Sequence, residues 1–130
     1  MTQDEFIAKV IGVPWVKHAH SFESMDCYGL VMLYYKHVMG IDIGLMPIRD
    51  ISEGGFEEES PNWHESYPAR SGIAFMSFKG GIPSHCGIII DEWNVLHSAG
   101  SDNQYGSVRI DKIASLERIF GKMKFYAYSI

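Results

Sequence analysis

The chain has 130 residues, 46% hydrophobic and 21% charged, enough for one domain with a sizeable core. Its formal net charge is −5 and Lys and Arg form no cluster, which argues against nucleic acid as the main partner. No stretch approaches the ~20 apolar residues of a membrane span, and the start MTQDEFIAKVIG lacks the basic head and unbroken apolar stretch of a signal peptide, so synthesis in the cytoplasm is expected.

Residues 2–11 read as a short amphipathic helix, capped by Thr2, with Asp4 and Glu5 in its first turn and Phe6, Ile7 and Val10 on one side. Gly12-Val13-Pro14 ends it. Residues 13–25 are irregular and carry His18 and His20. The strongest helix spans 27–39: Cys27, Leu30, Val31, Tyr34 and Val38 share a face, Asp26 is the N-cap and Gly40 the stop. Residues 41–71 are loop-like, with Pro47, Gly54-Gly55, the acidic run Glu57-Glu58-Glu59, Pro61 and Pro68, and a short helix around 48–53 or 57–66. Strands are expected at 73–78, 85–91, 94–99 and 107–110, with Gly80-Gly81 as a turn. Asp111 reads as the cap of a helix to about Ile119, Gly121 ends it, and 122–129 form a last strand. Helices followed by an antiparallel meander give an α+β class, with residues 1–130 as a single domain.

Three places carry chemistry. Cys27 would open the helix that Asp26 caps, where free N–H groups and the helix dipole favour thiolate, the nucleophilic form. Alternation in SHCGIII puts His85, Gly87 and Ile89 on one strand face and Cys86, Ile88 and Ile90 on the other. Cys86 therefore points away from His85 and reads as a structural thiol. His97 interrupts the strand expected to pair with 85–91 and can approach His85, to fix its tautomer and orientation. The two cysteines allow one disulfide, which a chain of this size does not need for folding.

Taken together, these segments resemble the NlpC/P60 family of cell-wall cysteine peptidases, over about Gly12 to Ile130. GVPW is similar to the family's G-x-P-Y, DCYGLV to D-C-S-G-L-V, SHCGIII to S-H-V-G-I-Y, and VLHSAG and SVRID to the segments that follow. The resemblance implies a papain-like α+β fold, the nucleophile at the N-terminus of a helix packed on an antiparallel sheet. It implies Cys27 as nucleophile, His85 as general base and acid and His97 as orienting residue, with Trp15, Asp26 and His18 as substrate-binding or oxyanion groups. No cofactor or metal is implied. The implied substrate is the peptide of peptidoglycan, commonly cut between D-glutamate and the following diamino acid. Phage tail-tip proteins carry such domains without signal peptides, so phage tail proteins are possible partners and a virion the possible place of action.

The sequence departs from the family pattern in four places. Trp15 stands for a tyrosine, His18-Ala19 for paired glycines, Tyr28 for a serine, and Ser71-Gly72-Ile73 for Pro-Gly-Asp. Three alternatives stay open: a papain-like thiol acyltransferase, a non-catalytic binding or tail-assembly module, and a zinc site built from Cys27, His85 and His97 with His18 or His20.

Overall fold

A computed structural model describes residues 1–44, 54–67 and 72–129. Helix α1 (Gln3–Val10) starts with a capping box: the Glu5 N–H donates to Thr2 Oγ1 at 3.1 Å and the Thr2 N–H to Glu5 Oε1 at 2.9 Å. Phe6 and Val10 bury its inner side. Helix α2 (Cys27–Tyr34) buries Tyr28, Gly29, Leu30, Val31, Leu33 and Tyr34, apolar nearly all round as a central helix must be. The expected helix continues to residue 39, but Tyr35–Met39 take a wider π-turn before Gly40 stops it at φ 71°. Tyr34 and Tyr35 are both buried, their hydroxyls bonded to Gln3 Oε1 at 2.7 Å and the Gly72 carbonyl at 2.8 Å.

The segment expected to hold a helix at 57–66 divides. Helix α3 is Gly55–Glu59, Ser60–Asn62 form a 3-10 turn around Pro61, and Trp63–Glu65 are strand β1, paired with the C-terminal strand. The alternative helix at 48–53 lies outside the described residues. The other strands are β2 (Ala74–Lys79), β3 (Ile82–Ile89), β4 (Asn94–Ser101), β5 (Gln104–Lys112) and β6 (Lys122–Tyr128), with helix α4 (Ile113–Phe120) between the last two. Among the described residues they form one antiparallel sheet in the order β1-β6-β2-β3-β4-β5.

Strand β3 starts earlier than expected. Gly80 and Gly81, both at positive φ, close a tight hairpin with Lys79 opposite Ile82. Pro83 is accommodated where the register shifts between Ser77 and Phe78. Strand β5 is longer than expected at both ends and takes in Asp111, so the expected cap of α4 is a strand residue and Lys112 holds the cap position without a side-chain bond.

The sheet buries both faces. Ala74, Met76, Cys86, Ile88, Leu96 and Val108 meet α1 and α2 on one. Ile73, Phe75, Ile89, Val95 and Met123 meet Leu116 of α4 on the other. Gly29 sets the docking of α2: a Cβ there would run into the carbonyl oxygen of Ala19. Gly29→Ala is expected to lower stability by about 1–3 kcal/mol, as overpacking does, read as a lower urea midpoint at unchanged slope.

Candidate functional site

Residues 12–26 wrap the N-terminus of α2. The segment is tied to β5 by Gly12 N–H to the Val108 carbonyl at 3.0 Å and Trp15 N–H to the Gly106 carbonyl at 2.9 Å. It is tied to β4 where the Ser98 hydroxyl donates to the Met25 carbonyl at 2.8 Å. Asp26 holds the junction: its carboxylate accepts from the Gly29 N–H and the His18 N–H, both at 2.8 Å. His18 lies in the left-handed region, φ 64°, which histidine tolerates better than most residues. The N–H groups of Cys27 and Tyr28 have no partner among the described residues. Free donors thus lie at the start of the helix that carries the Cys27 thiol.

Strands β3 and β4 pair at Ile88↔Leu96 and Ile89↔Val95. That register sets His85 and His97 diagonally on one face, within reach of each other. His85 Nε2 lies 2.9 Å from His97 Nδ1, and His97 Nε2 lies 2.7 Å from Asp111 Oδ2. Asp111 is likewise diagonal to His97, which is paired with Arg109; the Arg109 Nε is 3.4 Å from the same carboxylate oxygen. His97 is fully buried and His85 is 4% exposed. Phe120 stacks on the His85 ring at 4.2 Å.

This geometry fixes the tautomers. The Asp111 carboxylate oxygen is the acceptor of this pair, so His97 Nε2 carries the proton. Burial, then the nearby His85, pushes His97 down to about 4 despite Asp111, so the ring is neutral near pH 7 and its Nδ1 accepts from His85 Nε2–H. The nitrogen left to serve Cys27 is His85 Nδ1. The Cys27 thiol is held well below the usual thiol range, first by a hydrogen bond from Cys86 and then by His85, against the cost of burial. Cys86 is pushed well above that range by the same contact and by its own burial. The charge settles on Cys27, a half-buried residue at the helix N-terminus.

A family model, the NlpC/P60 family, matches residues 12–121. The chain belongs to the NlpC/P60 family. Its fold is similar to that of the NlpC/p60 domain of the peptidoglycan hydrolase SagA, with a TM-score of 0.63 and 21% identity over 98% of this chain and 95% of that one. A comparison with the curated proteins finds no match. The NlpC/P60 match leaves out α1 and β6.

The structure brings Cys27, His85 and His97 together and adds Asp111, which the sequence presents as a helix cap. The N–H of Trp15 is bonded to Gly106 of β5, and those of His18 and Asp26 within the wrap, to Asp26 and Ala19, so none of the three offers its main chain to an oxyanion. Trp15 rests its ring on Gly100, where a Cβ would come within 2.8 Å of it. Tyr28, at the position of the family serine, is turned inward and lines an apolar cavity of about 50 Å³ with Val31, Phe56, Trp63, Met76 and Cys86. The departure at Tyr28 therefore alters the packing behind Cys27. Cys86 faces away from His85, as the alternation predicts, and that places it on the α2 side, against Cys27. Among the described residues, no three His, Cys, Asp or Glu side chains are disposed to hold a metal ion, and no helix is long and apolar enough to cross a membrane.

Two predictions follow from these contacts. Asp111→Asn puts an amide donor opposite His97 Nε2–H and favours the wrong tautomer; kcat is expected to fall roughly 10- to 100-fold with KM little changed. Equal kcat would remove Asp111 from the relay. Burial, then the Cys27 charge, pushes Asp26 up to about 6 against its two N–H donors. The folded state then holds more protons than the unfolded one between about pH 4 and 6. That contribution is complete below the unfolded pKa and lost as pH rises through about 6. Relative to Asp26→Asn, the chain is expected to lose about 3 kcal/mol between pH 4 and 7 in urea unfolding. Parallel curves for the two proteins would contradict it.

Proposed function

We propose that the chain is a cysteine hydrolase that cuts an amide bond in the stem peptides of peptidoglycan, between D-glutamate and the following diamino acid. The observation that carries this reading is the continuous line from Cys27 through His85 and His97 to Asp111, begun at a helix N-terminus. Family membership supports hydrolysis, and the likeness to a peptidoglycan hydrolase supports the substrate class.

Each group has one task. The Cys27 thiolate attacks the amide carbonyl while His85 Nδ1 holds the proton taken from the thiol. The developing oxyanion meets the free N–H of Cys27. His85 then protonates the leaving amine, and water, deprotonated by the same nitrogen, releases the acyl group. His97 and Asp111 keep His85 in one tautomer and orientation throughout. Attachment to a phage tail tip is part of the same proposal and rests on the sequence resemblance alone.

The test is digestion of defined stem peptides with the purified chain, products read by mass spectrometry. A new amine on the diamino acid and a free D-glutamyl carboxylate are expected. Intact stem peptides, beside transfer of an acyl group from a thioester or amide to an added amine, would move the reading to acyl transfer.

A further inference from the structure

The mechanism above uses one thiol, yet the site contains two. Cys27 and Cys86 are the only cysteines of the chain, and both are reduced. Their proximity follows from the fold. Cys86 and Ile88 occupy the sheet face covered by α2, where Cys27 packs against the same cluster. Strand β4, paired to β3 at Ile88↔Leu96, also carries Ser98, which bonds the carbonyl of Met25, two residues before Cys27. The start of α2 is thus pinned over the strand pair that holds Cys86. Alternation along β3 turns Cys86 and His85 to opposite faces of the strand.

We propose that Cys27 and Cys86 are a redox pair: hydroperoxides oxidise Cys27, and Cys86 resolves the product to a disulfide that switches the site off reversibly. Access sets the order, since Cys27 is partly exposed and Cys86 is 3% exposed. In the first step the Cys27 thiolate attacks one peroxide oxygen and the O–O bond breaks. The leaving alkoxide or hydroxide takes a proton, and Cys27 becomes a sulfenic acid. In the second step Cys86 gives up its proton and its sulfur attacks the Cys27 sulfur. The S–O bond breaks and the proton leaves with the hydroxyl as water. Two thiols lose two electrons and one hydroperoxide gains them, giving one disulfide, one alcohol or water, and one water. A dithiol reverses the change. Without a resolving thiol, the sulfenic acid goes on to sulfinic acid, which a dithiol does not reduce.

The proposal rests on Cys27 being the reactive thiol, and its test is separate from peptidase activity. The full chain is exposed to graded hydrogen peroxide, quenched, and followed by intact mass and non-reducing peptide mapping. The wild type is expected to lose about 2 Da, the two thiol hydrogens, to yield a Cys27–Cys86 cross-linked peptide, and to regain both thiols in dithiothreitol. Cys86→Ser is expected to gain about 32 Da, two oxygens on Cys27, and to stay oxidised in dithiothreitol. Wild type that gains oxygen on Cys27 without a cross-link would overturn the proposal, whatever the variant does. A cross-link in a chain that cleaves no stem peptide would leave the redox pair standing and sink the peptidase reading instead.

Discussion

Cys27→Ala is expected to reduce stem-peptide cleavage at least ~10³-fold, as removal of a nucleophile does when the rest of the site cannot replace it. The fold should persist. Asp26 still caps α2 through the Gly29 N–H, and Cys27 is only partly buried, so little packing is lost. Circular dichroism and the urea midpoint check the fold, and product release by mass spectrometry checks the activity. Retained cleavage would remove Cys27 from the mechanism, and Cys86, against it in the structure, would become the candidate.

His85→Ala is expected to cost a similar factor by a different route. It deletes the acceptor for the thiol proton and the donor to the leaving amine. It also removes one of the two partners that lower the Cys27 thiol and leaves His97 Nδ1 without its donor inside a buried site. The variant should need a higher pH for the same reactive-thiol fraction, since only Cys86 still lowers the thiol, and raising the pH should recover little turnover because no acid remains for the amine. A loss confined to KM would mean that His85 binds substrate and does not transfer protons.

Much of this site is legible in the sequence because its logic is local. A cap-then-cysteine pair at the edge of an apolar helix places Cys27, and strand alternation places His85 and His97 on one face. Asp111 is hidden by a competing local signal: an aspartate just before a helical stretch reads as an N-cap, whereas pairing with β4 draws it into β5 and turns its carboxylate to His97. Strand β1 is hidden because Trp63, His64 and Glu65 are too few to show a period and gain their conformation from β6. Alternation also says that Cys86 avoids His85, but only the docking of α2 on that face brings it to Cys27. The rule that gives the strand face is local; the neighbour on that face is tertiary.

The central claim is that Cys27 rests as a thiolate supported by His85. Its direct test is the rate of iodoacetamide alkylation of Cys27 against pH, with mass spectrometry separating it from Cys86, in the wild type and in His85→Ala. A Cys27 pKa well below the ~8.5 of a free cysteine, rising when His85 is removed, is the predicted result. An ordinary pKa that does not respond to His85 would contradict it.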